Sequence, residues 1–201
     1  INKIIHTVDY SESEVEKSEE LAKQLAIRVT SGSFVERGQA ARELDILIRH
    51  ATGVSKARQV AQYVKILLEN NEPIVLAGWH REVYDIWLEE LKDYNPVLYT
   101  GSESPAQKEQ SKNAFINGAT NLFIISLRSG IGLDGLQKRS KIVVIGELDW
   151  SPKVHDQLIG RLDRHGQPDQ VTAIYLVSEY GSDPLIIDML GLKSSQSHGI
   201  V

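Results

Sequence analysis

The 201-residue sequence contains no cysteine, which excludes disulfide bonds and thiolate metal sites. No apolar run approaches the roughly 20 residues that a membrane-spanning helix needs, and the first residues lack a signal-peptide pattern. The six histidines show no metal-ligand spacing, so we predict no metal site. The sequence also has no Gly-x-x-x-x-Gly-Lys-Ser/Thr loop and no Asp-Glu pair, the elements that commonly hold nucleotide phosphates and Mg²⁺.

The composition is that of a globular protein, with 41% hydrophobic and 24% charged residues, and the length suits one α/β domain with additional helices. The net charge of −5 argues mildly against nucleic-acid binding, although a small basic strip can lie on an acidic domain. The absence of cysteine agrees with an intracellular setting. Because the sequence opens at Ile1 rather than Met, we expect a piece of a longer protein, monomeric by itself.

The first 52 residues are predicted to be a helical segment. Ser11 and Glu14 have the spacing of a capping box, which predicts a helix start. An apolar stripe of helical period follows, made of Val15, Leu21, Leu25 and Val29. Two more helices are predicted at residues 34–50 and 55–69.

From Pro73 onward, short apolar runs alternate with helical patterns. We predict strands at residues 74–77, 97–99, 122–126, 142–145 and 171–177. We predict helices at residues 80–94, 105–117, 152–163 and 184–190. This alternation predicts a doubly wound α/β domain at residues 53–193, a parallel sheet with helices on both faces, followed by a tail at residues 194–201. Ligands of such sheets bind at the carboxyl ends of the strands.

The predicted helix at residues 152–163 and the residue that follows it carry three side chains suited to binding phosphate. On a helix, Gln157, Arg161 and Arg164 fall at i, i+4 and i+7 and share one face. Gly160 lies beside that face and would allow a phosphate to approach, and Gly166 is predicted to end the helix. Two guanidinium groups and an amide aimed one way suit a triphosphate. The alternative is a surface helix whose arginines pair with the neighbouring Asp156 and Asp163.

The pattern Gln157-x-x-Gly160-Arg161-x-x-Arg164-x-Gly166-Gln167 closely resembles motif VI of the Snf2 branch of superfamily 2 helicases. The resemblance implies that Arg161 and Arg164 are arginine fingers, reaching ATP held on a partner lobe, and that Gln157 positions the phosphates. It also implies that Gly160 and Gln167 lie beside the nucleotide.

Further segments resemble the same family in the expected order. Residues 125–137 look like motif V, where Gly130 and Gly132 would let backbone amides face a phosphate. This segment departs from the family form, which has Asn near Asp134 and a slightly different spacing. The remaining similar segments are residues 49–56, 74–79, 98–102 and 147–152. The resemblance therefore covers residues 43–191.

The resemblance implies a C-terminal RecA-like lobe of a DNA translocase, in which ATP and Mg²⁺ are held mainly by the N-terminal RecA-like lobe of the same full-length chain. We therefore expect this chain alone to bind no cofactor tightly and to be inactive. Double-stranded DNA is the expected partner, in the cytoplasm or nucleoid of a bacterium or phage, or in a eukaryotic nucleus. The expected DNA contacts are Trp79, His80, Thr100, Gly101, Ser102, Ser126, Arg128 and Ser129.

Three other functions remain open. The chain could be a lobe of a strand-separating DNA helicase or of an RNA helicase from the same superfamily. It could instead be a non-catalytic RecA-like interaction module, although both arginines, Gln157 and the glycine turn speak against that. A flavodoxin-like ligand domain would need a glycine-rich loop after the first strand, where this sequence has Gly78-Trp79-His80-Arg81.

Overall fold

The computed structural model of the protein describes residues 1–192, apart from the side chains of Ser18, Leu21 and Leu25. The predicted tail at residues 194–201 lies outside the described residues, and so do the two leucine side chains of the predicted N-terminal stripe. Within the described part of the chain, no helix is both long enough and apolar enough to cross a membrane.

One six-stranded sheet forms the centre of the molecule. Its strands are β1 (Asn2–Thr7), β2 (Ile74–Gly78), β3 (Val97–Tyr99), β4 (Leu122–Ser126), β5 (Ile142–Ile145) and β6 (Thr172–Val177). Their order is β1-β6-β5-β2-β4-β3, and every neighbouring pair is parallel. Because all strands run in the same direction, the loops that follow their carboxyl ends lie along a single edge of the sheet.

Helices cover both faces of this sheet, as predicted. They are α1 (Glu12–Val29), α2 (Phe34–Glu69), α3 (Arg81–Glu90), α4 (Pro105–Ile116), α5 (Pro152–Ile159) and α6 (Asp183–Leu190), with short 3₁₀ helices at Lys92–Tyr94 and Leu136–Lys138. Alternate residues of a strand point to opposite faces, so β2 contributes to two separate hydrophobic clusters. One cluster includes residues of α2 and α3, and the other includes residues of α4, α5 and α6.

The strand β1 was missed by the sequence analysis, which placed no strand before Pro73. It pairs with β6 at the edge of the sheet, with Ile5 opposite Tyr175. Only Ile5 of the strand is buried, so its sequence carries little of the apolar signal that marks the central strands. The N-terminal segment therefore begins as part of the sheet before its helices start.

The prediction of separate helices at residues 34–50 and 55–69 is wrong, because α2 runs unbroken for 36 residues. The predicted domain boundary after residue 52 falls inside it. The Ser33 side chain starts this helix by accepting the Glu36 N–H. At the start of α1, Ser11 is the N-cap residue, but its side chain makes no capping hydrogen bond, so the predicted capping box does not form.

Candidate functional site

A cleft of about 120 Å³ opens at the carboxyl edge of the sheet, between the loop after β4 and the helix α5. Leu127, Val154 and Leu158 form its apolar part. Its remaining lining residues are Arg128, Gly130, Ile131, Gln157 and Arg161. The structure therefore brings together residues from the two segments that the sequence analysis matched to motif V and motif VI.

Arg161 and Gln157 have no partners of their own in this cleft. Within residues 1–192, neither side chain makes a hydrogen bond or an ion pair. Arg161 lies against Gly130, where an added Cβ would stand 3.5 Å from Arg161 Nε. This separation is ordinary van der Waals contact, so the guanidinium packs beside the loop after β4 with its donors available to a ligand.

The predicted common helical face of Gln157, Arg161 and Arg164 is wrong. The helix α5 ends at Ile159 with Gly160 as its C-cap residue, so both arginines lie in the turns that follow rather than on the helix. Glycine is a poor residue for continuing a helix, and the buried Leu162 draws the following segment into the core. Gly166, with φ of +95°, lies in a turn beyond the helix instead of ending it.

Arg164 is held away from the cleft by the loop after β4. Its Nη1 donates to Asp134 Oδ1 at 3.2 Å and to the Leu133 carbonyl at 3.3 Å. Asp134 also accepts from Gln137 Nε2 at 3.0 Å, and this hydrogen bond, aided by the nearby Arg164, holds the pKa of Asp134 below its usual value. The alternative, in which the arginines pair with Asp156 and Asp163, is not observed. Asp156 pairs instead with Lys3 at 3.6 Å, and Arg164 pairs with Asp134.

The surroundings of Gln167 and Gly132 differ from those expected of residues that bind a nucleotide. The Gln167 amide donates to the carbonyls of Ser140 and Leu162 and accepts the Asp169 N–H, so it joins its own loop to the segment before β5. Gly132 has φ of +77° and open space where a Cβ would stand, so it supports the turn beside the cleft.

A buried carboxylate, Asp149, orients Arg128 at the cleft. Arg128 Nη2 lies 3.2 Å from both oxygens of Asp149, which is 4% exposed, and Arg49 approaches the same carboxylate at 3.6 Å. Half of the Arg128 side chain remains exposed. Ser126 is buried, and its hydroxyl accepts the Arg128 N–H at 3.3 Å, so it shapes this turn.

The loop after β3 touches the loop after β4. Ser129 Oγ donates to the Thr100 carbonyl at 3.1 Å, and the Thr100 hydroxyl donates to Glu103 Oε2 at 2.6 Å. Gly101 has φ of +105° and is exposed together with Ser102. The predicted contacts of these two loops therefore form one continuous polar surface.

Trp79 and His80 follow β2 on the same edge, and their backbone is held by Glu147 from the segment after β5. Trp79 is 41% exposed. The sequence analysis did not identify Glu147, Asp149, Asp134 or Gln137 as parts of the site. Acidic residues directly after a buried strand were the available signal for the first two, since a buried carboxylate needs partners.

Among the described residues, no group of three or more His, Asp or Glu side chains is arranged to hold a metal ion.

Sequence comparison finds relatives among chromatin proteins, whereas no protein-family model matches the chain. It is 30% identical over 159 residues to the SWI/SNF-related matrix-associated actin-dependent regulator of chromatin subfamily A-like protein 1 of Bos taurus, covering 77% of this chain and 17% of the relative. The protein of the same name from Drosophila melanogaster is 27% identical over 164 residues, covering 78% of this chain and 21% of the relative. The chain thus spans about a fifth of the length of these relatives.

Solved structures share the fold over nearly the whole chain. The SWI2/SNF2 ATPase C-terminal domain of Sulfolobus solfataricus superposes with a TM-score of 0.72 at 13% identity, covering 99% of this chain and 90% of that one. The ATPase core of the same organism in complex with double-stranded DNA gives 0.75 at 16% identity, covering 100% of this chain and 46% of that one. The predicted RecA-like fold is confirmed by these similarities.

Proposed function

We propose that this chain, which is a C-terminal RecA-like lobe of the Snf2 family, is one half of an ATP-driven double-stranded-DNA translocase. In this proposal it supplies arginine fingers and part of the DNA-binding surface. An N-terminal RecA-like lobe of the same full-length chain holds ATP and Mg²⁺.

One observation carries the proposal: the unpartnered Arg161 and Gln157 converge beside Gly130 in a cleft at the carboxyl edge of the sheet. A guanidinium and an amide with free donors match the oxygens of a phosphate group that gains charge as it is transferred. No carboxylate lines the cleft, so its residues suit the phosphates and leave Mg²⁺ to the other lobe.

Arg164 is the second finger of the proposal, although it pairs with Asp134 in this structure. The side chain of Asp134 is 70% exposed and that of Arg164 is 34% exposed. Water screens an ion pair of such a carboxylate, so closure of the two lobes would exchange this contact for one with a phosphate at little cost.

The DNA-binding surface consists of the loops after β2, β3 and β4, which carry Trp79, the 100–102 segment, Arg128 and Ser129. The superposable core bound to double-stranded DNA supports duplex as the partner. Because the chain carries a net charge of −5, we expect its own DNA binding to be weak and confined to these loops. Relatives named for chromatin favour an intracellular site of action, a nucleus in a eukaryote.

The test is Arg161→Ala in the full-length protein. We expect DNA-stimulated ATP hydrolysis to fall by about a thousandfold or more, because an arginine finger stabilises charge in the transition state. Duplex-DNA binding should be largely retained. The matched control is Arg58→Ala, since Arg58 is an exposed arginine of α2 paired with Glu90 and should tolerate the change.

Unchanged turnover in the Arg161 variant would refute the finger assignment. The same assay with duplex DNA, single-stranded DNA and RNA identifies the preferred nucleic acid. Strongest stimulation by duplex is the expected result, whereas strongest stimulation by single strands or RNA would favour a strand-separating helicase.

A further inference from the structure

Glu147 is a buried carboxylate that binds the loop after β2 at three points. Its Oε2 accepts the Trp79 N–H at 2.6 Å and the His80 N–H at 2.9 Å. Its Oε1 lies 2.6 Å from His80 Nδ1. Glu147 itself is only 4% exposed, so these contacts are made away from solvent.

The helix α2 confines this carboxylate from the other side. A Cβ added at Gly53 would overlap Glu147 Oε1 and would lie 3.1 Å from Val83 Cγ2. A side chain at position 53 therefore cannot coexist with Glu147 in its present place. The unbroken course of α2 over this glycine leaves the space that the carboxylate fills.

These contacts fix the backbone of Trp79, a residue that is itself 41% exposed. A large aromatic side chain at such exposure offers apolar surface that can pack against the sugars of a duplex backbone, but a loop residue loses affinity if it must first be ordered. Two backbone N–H groups bound to one buried carboxylate order this loop in advance.

We propose that Glu147 is a positioning residue that holds the Trp79 indole ready for contact with the DNA duplex. This inference rests on the proposed function, because it takes the loop after β2 to face DNA. Glu147 acts only through the Trp79–His80 backbone and touches no ligand itself.

The test is a double-mutant cycle in the full-length protein, with the DNA concentration that half-saturates ATP hydrolysis as the readout. Trp79→Ala should raise this concentration about tenfold, which corresponds to about 1.4 kcal/mol of lost apolar contact with the duplex backbone. Glu147→Ala should raise it similarly and leave the rate at saturating DNA within about twofold. In the Glu147→Ala background, Trp79→Ala should then add less than about twofold.

Two variants separate positioning from loss of fold and from loss of charge. Glu147→Gln keeps an oxygen for the two N–H groups and should restore most of the DNA response. Glu82→Ala removes an exposed carboxylate from the start of α3, and it should leave the half-saturating concentration unchanged or lower it. A rise in the half-saturating DNA concentration with Glu147→Ala would therefore not be an effect of the lost charge.

If Glu147→Ala does not fold, Gly53→Ala displaces the carboxylate without removing it and should raise the half-saturating concentration likewise. Additive effects of Trp79→Ala and Glu147→Ala would overturn the inference, and so would a silent Trp79→Ala. Either result leaves the Arg161 test untouched, so failure of this inference is distinguishable from failure of the proposed function.

Discussion

At the scale of single residues, Arg161 and Arg164 lie three positions apart but in different electrostatic surroundings. Arg161 reaches the cleft beside Gly130 with no partner among the described residues, whereas Arg164 is bound by Asp134 and the Leu133 carbonyl. A free guanidinium gives up only water when a phosphate arrives, while a paired one must also release its carboxylate. Substitution of Arg161 is therefore a better single test of the site than substitution of Arg164.

His155, a buried residue of α5, is kept neutral. Its Nε2 accepts the Asp149 N–H at 3.0 Å, which places the ring proton on Nδ1, a buried atom without a hydrogen-bond partner. Burial lowers the pKa of His155 to about 4. Protonation of this ring is therefore strongly coupled to unfolding.

We predict that the folded state loses stability as the pH falls from about 6.5 toward 4, because the unfolded chain binds the His155 proton first. The loss from this residue is roughly 1.4 kcal/mol per pH unit within that window. Urea unfolding at pH 7 and pH 5 measures it.

His155→Gln keeps an acceptor for the Asp149 N–H and should flatten the pH dependence. His6→Gln, at an exposed position, is the matched control and should leave it as in the wild type. An equal acid slope in wild type and His155→Gln would contradict the prediction.

Sequence reasoning identified residue types that line the candidate site but not the geometry in which they meet. The residue types and spacing of Gln157, Arg161 and Arg164 indicated phosphate binding, yet the helical continuity used to align them ended at Ile159. Where a helix stops depends on tertiary packing, here the burial of Leu162, which local propensity does not contain. Contacts such as that of Glu147 with Trp79 join residues 68 positions apart, so they are visible only in the structure.

At the scale of elements, a buried ion pair joins α2 to the first residue of α6. Lys56 Nζ donates to Asp183 Oδ2 at 2.7 Å and to the Leu176 carbonyl at 2.7 Å, and Asp183 also accepts the Ser178 N–H. One turn earlier, Thr52 Oγ1 accepts the Ser182 N–H at 3.0 Å. These contacts fix the long helix against the sheet edge that carries the site.

We predict that Lys56→Met destabilises the protein by about 3–5 kcal/mol, because it leaves the Asp183 carboxylate buried without its cation. The matched control, Lys92→Met, removes an exposed lysine paired with Glu89 and should leave the free energy of unfolding nearly unchanged. Denaturant unfolding measures the free energy of unfolding of both variants.

The double variant Lys56→Met with Asp183→Asn should be less destabilised than the sum of its single changes, since the buried charge is then gone. A Lys56→Met variant as stable as Lys92→Met would show that the ion pair contributes little.

Some helices and strands could be predicted from the sequence and others could not. The buried strands β2, β4 and β5 were predicted almost to the residue, because continuous apolar runs have few other interpretations in an α/β chain. The edge strand β1 was missed since it buries a single residue. The break predicted in α2 failed because Gly53 serves close packing against Glu147 rather than termination.

At the scale of the whole molecule, the functional residues gather on one edge because the sheet is entirely parallel. The loops after β2, β3, β4 and β5 leave the sheet on the same side, so segments far apart in the sequence meet there. Two hydrophobic clusters, one on each face, hold this edge in place. The edge carries cationic and amide donors, which suit the phosphates that the proposed function places on another lobe.

We therefore predict that residues 1–201 alone hydrolyse ATP no faster with duplex DNA than without it. The sequence has no glycine-rich phosphate loop and no Asp-Glu pair for Mg²⁺, so Arg161 has no bound nucleotide to act on. Phosphate release by the purified chain measures this, with the full-length protein as the positive control. DNA-stimulated turnover by the chain alone that approaches the full-length rate would mean that the nucleotide is held by residues of this lobe, and the division of labour between two lobes would have to be abandoned.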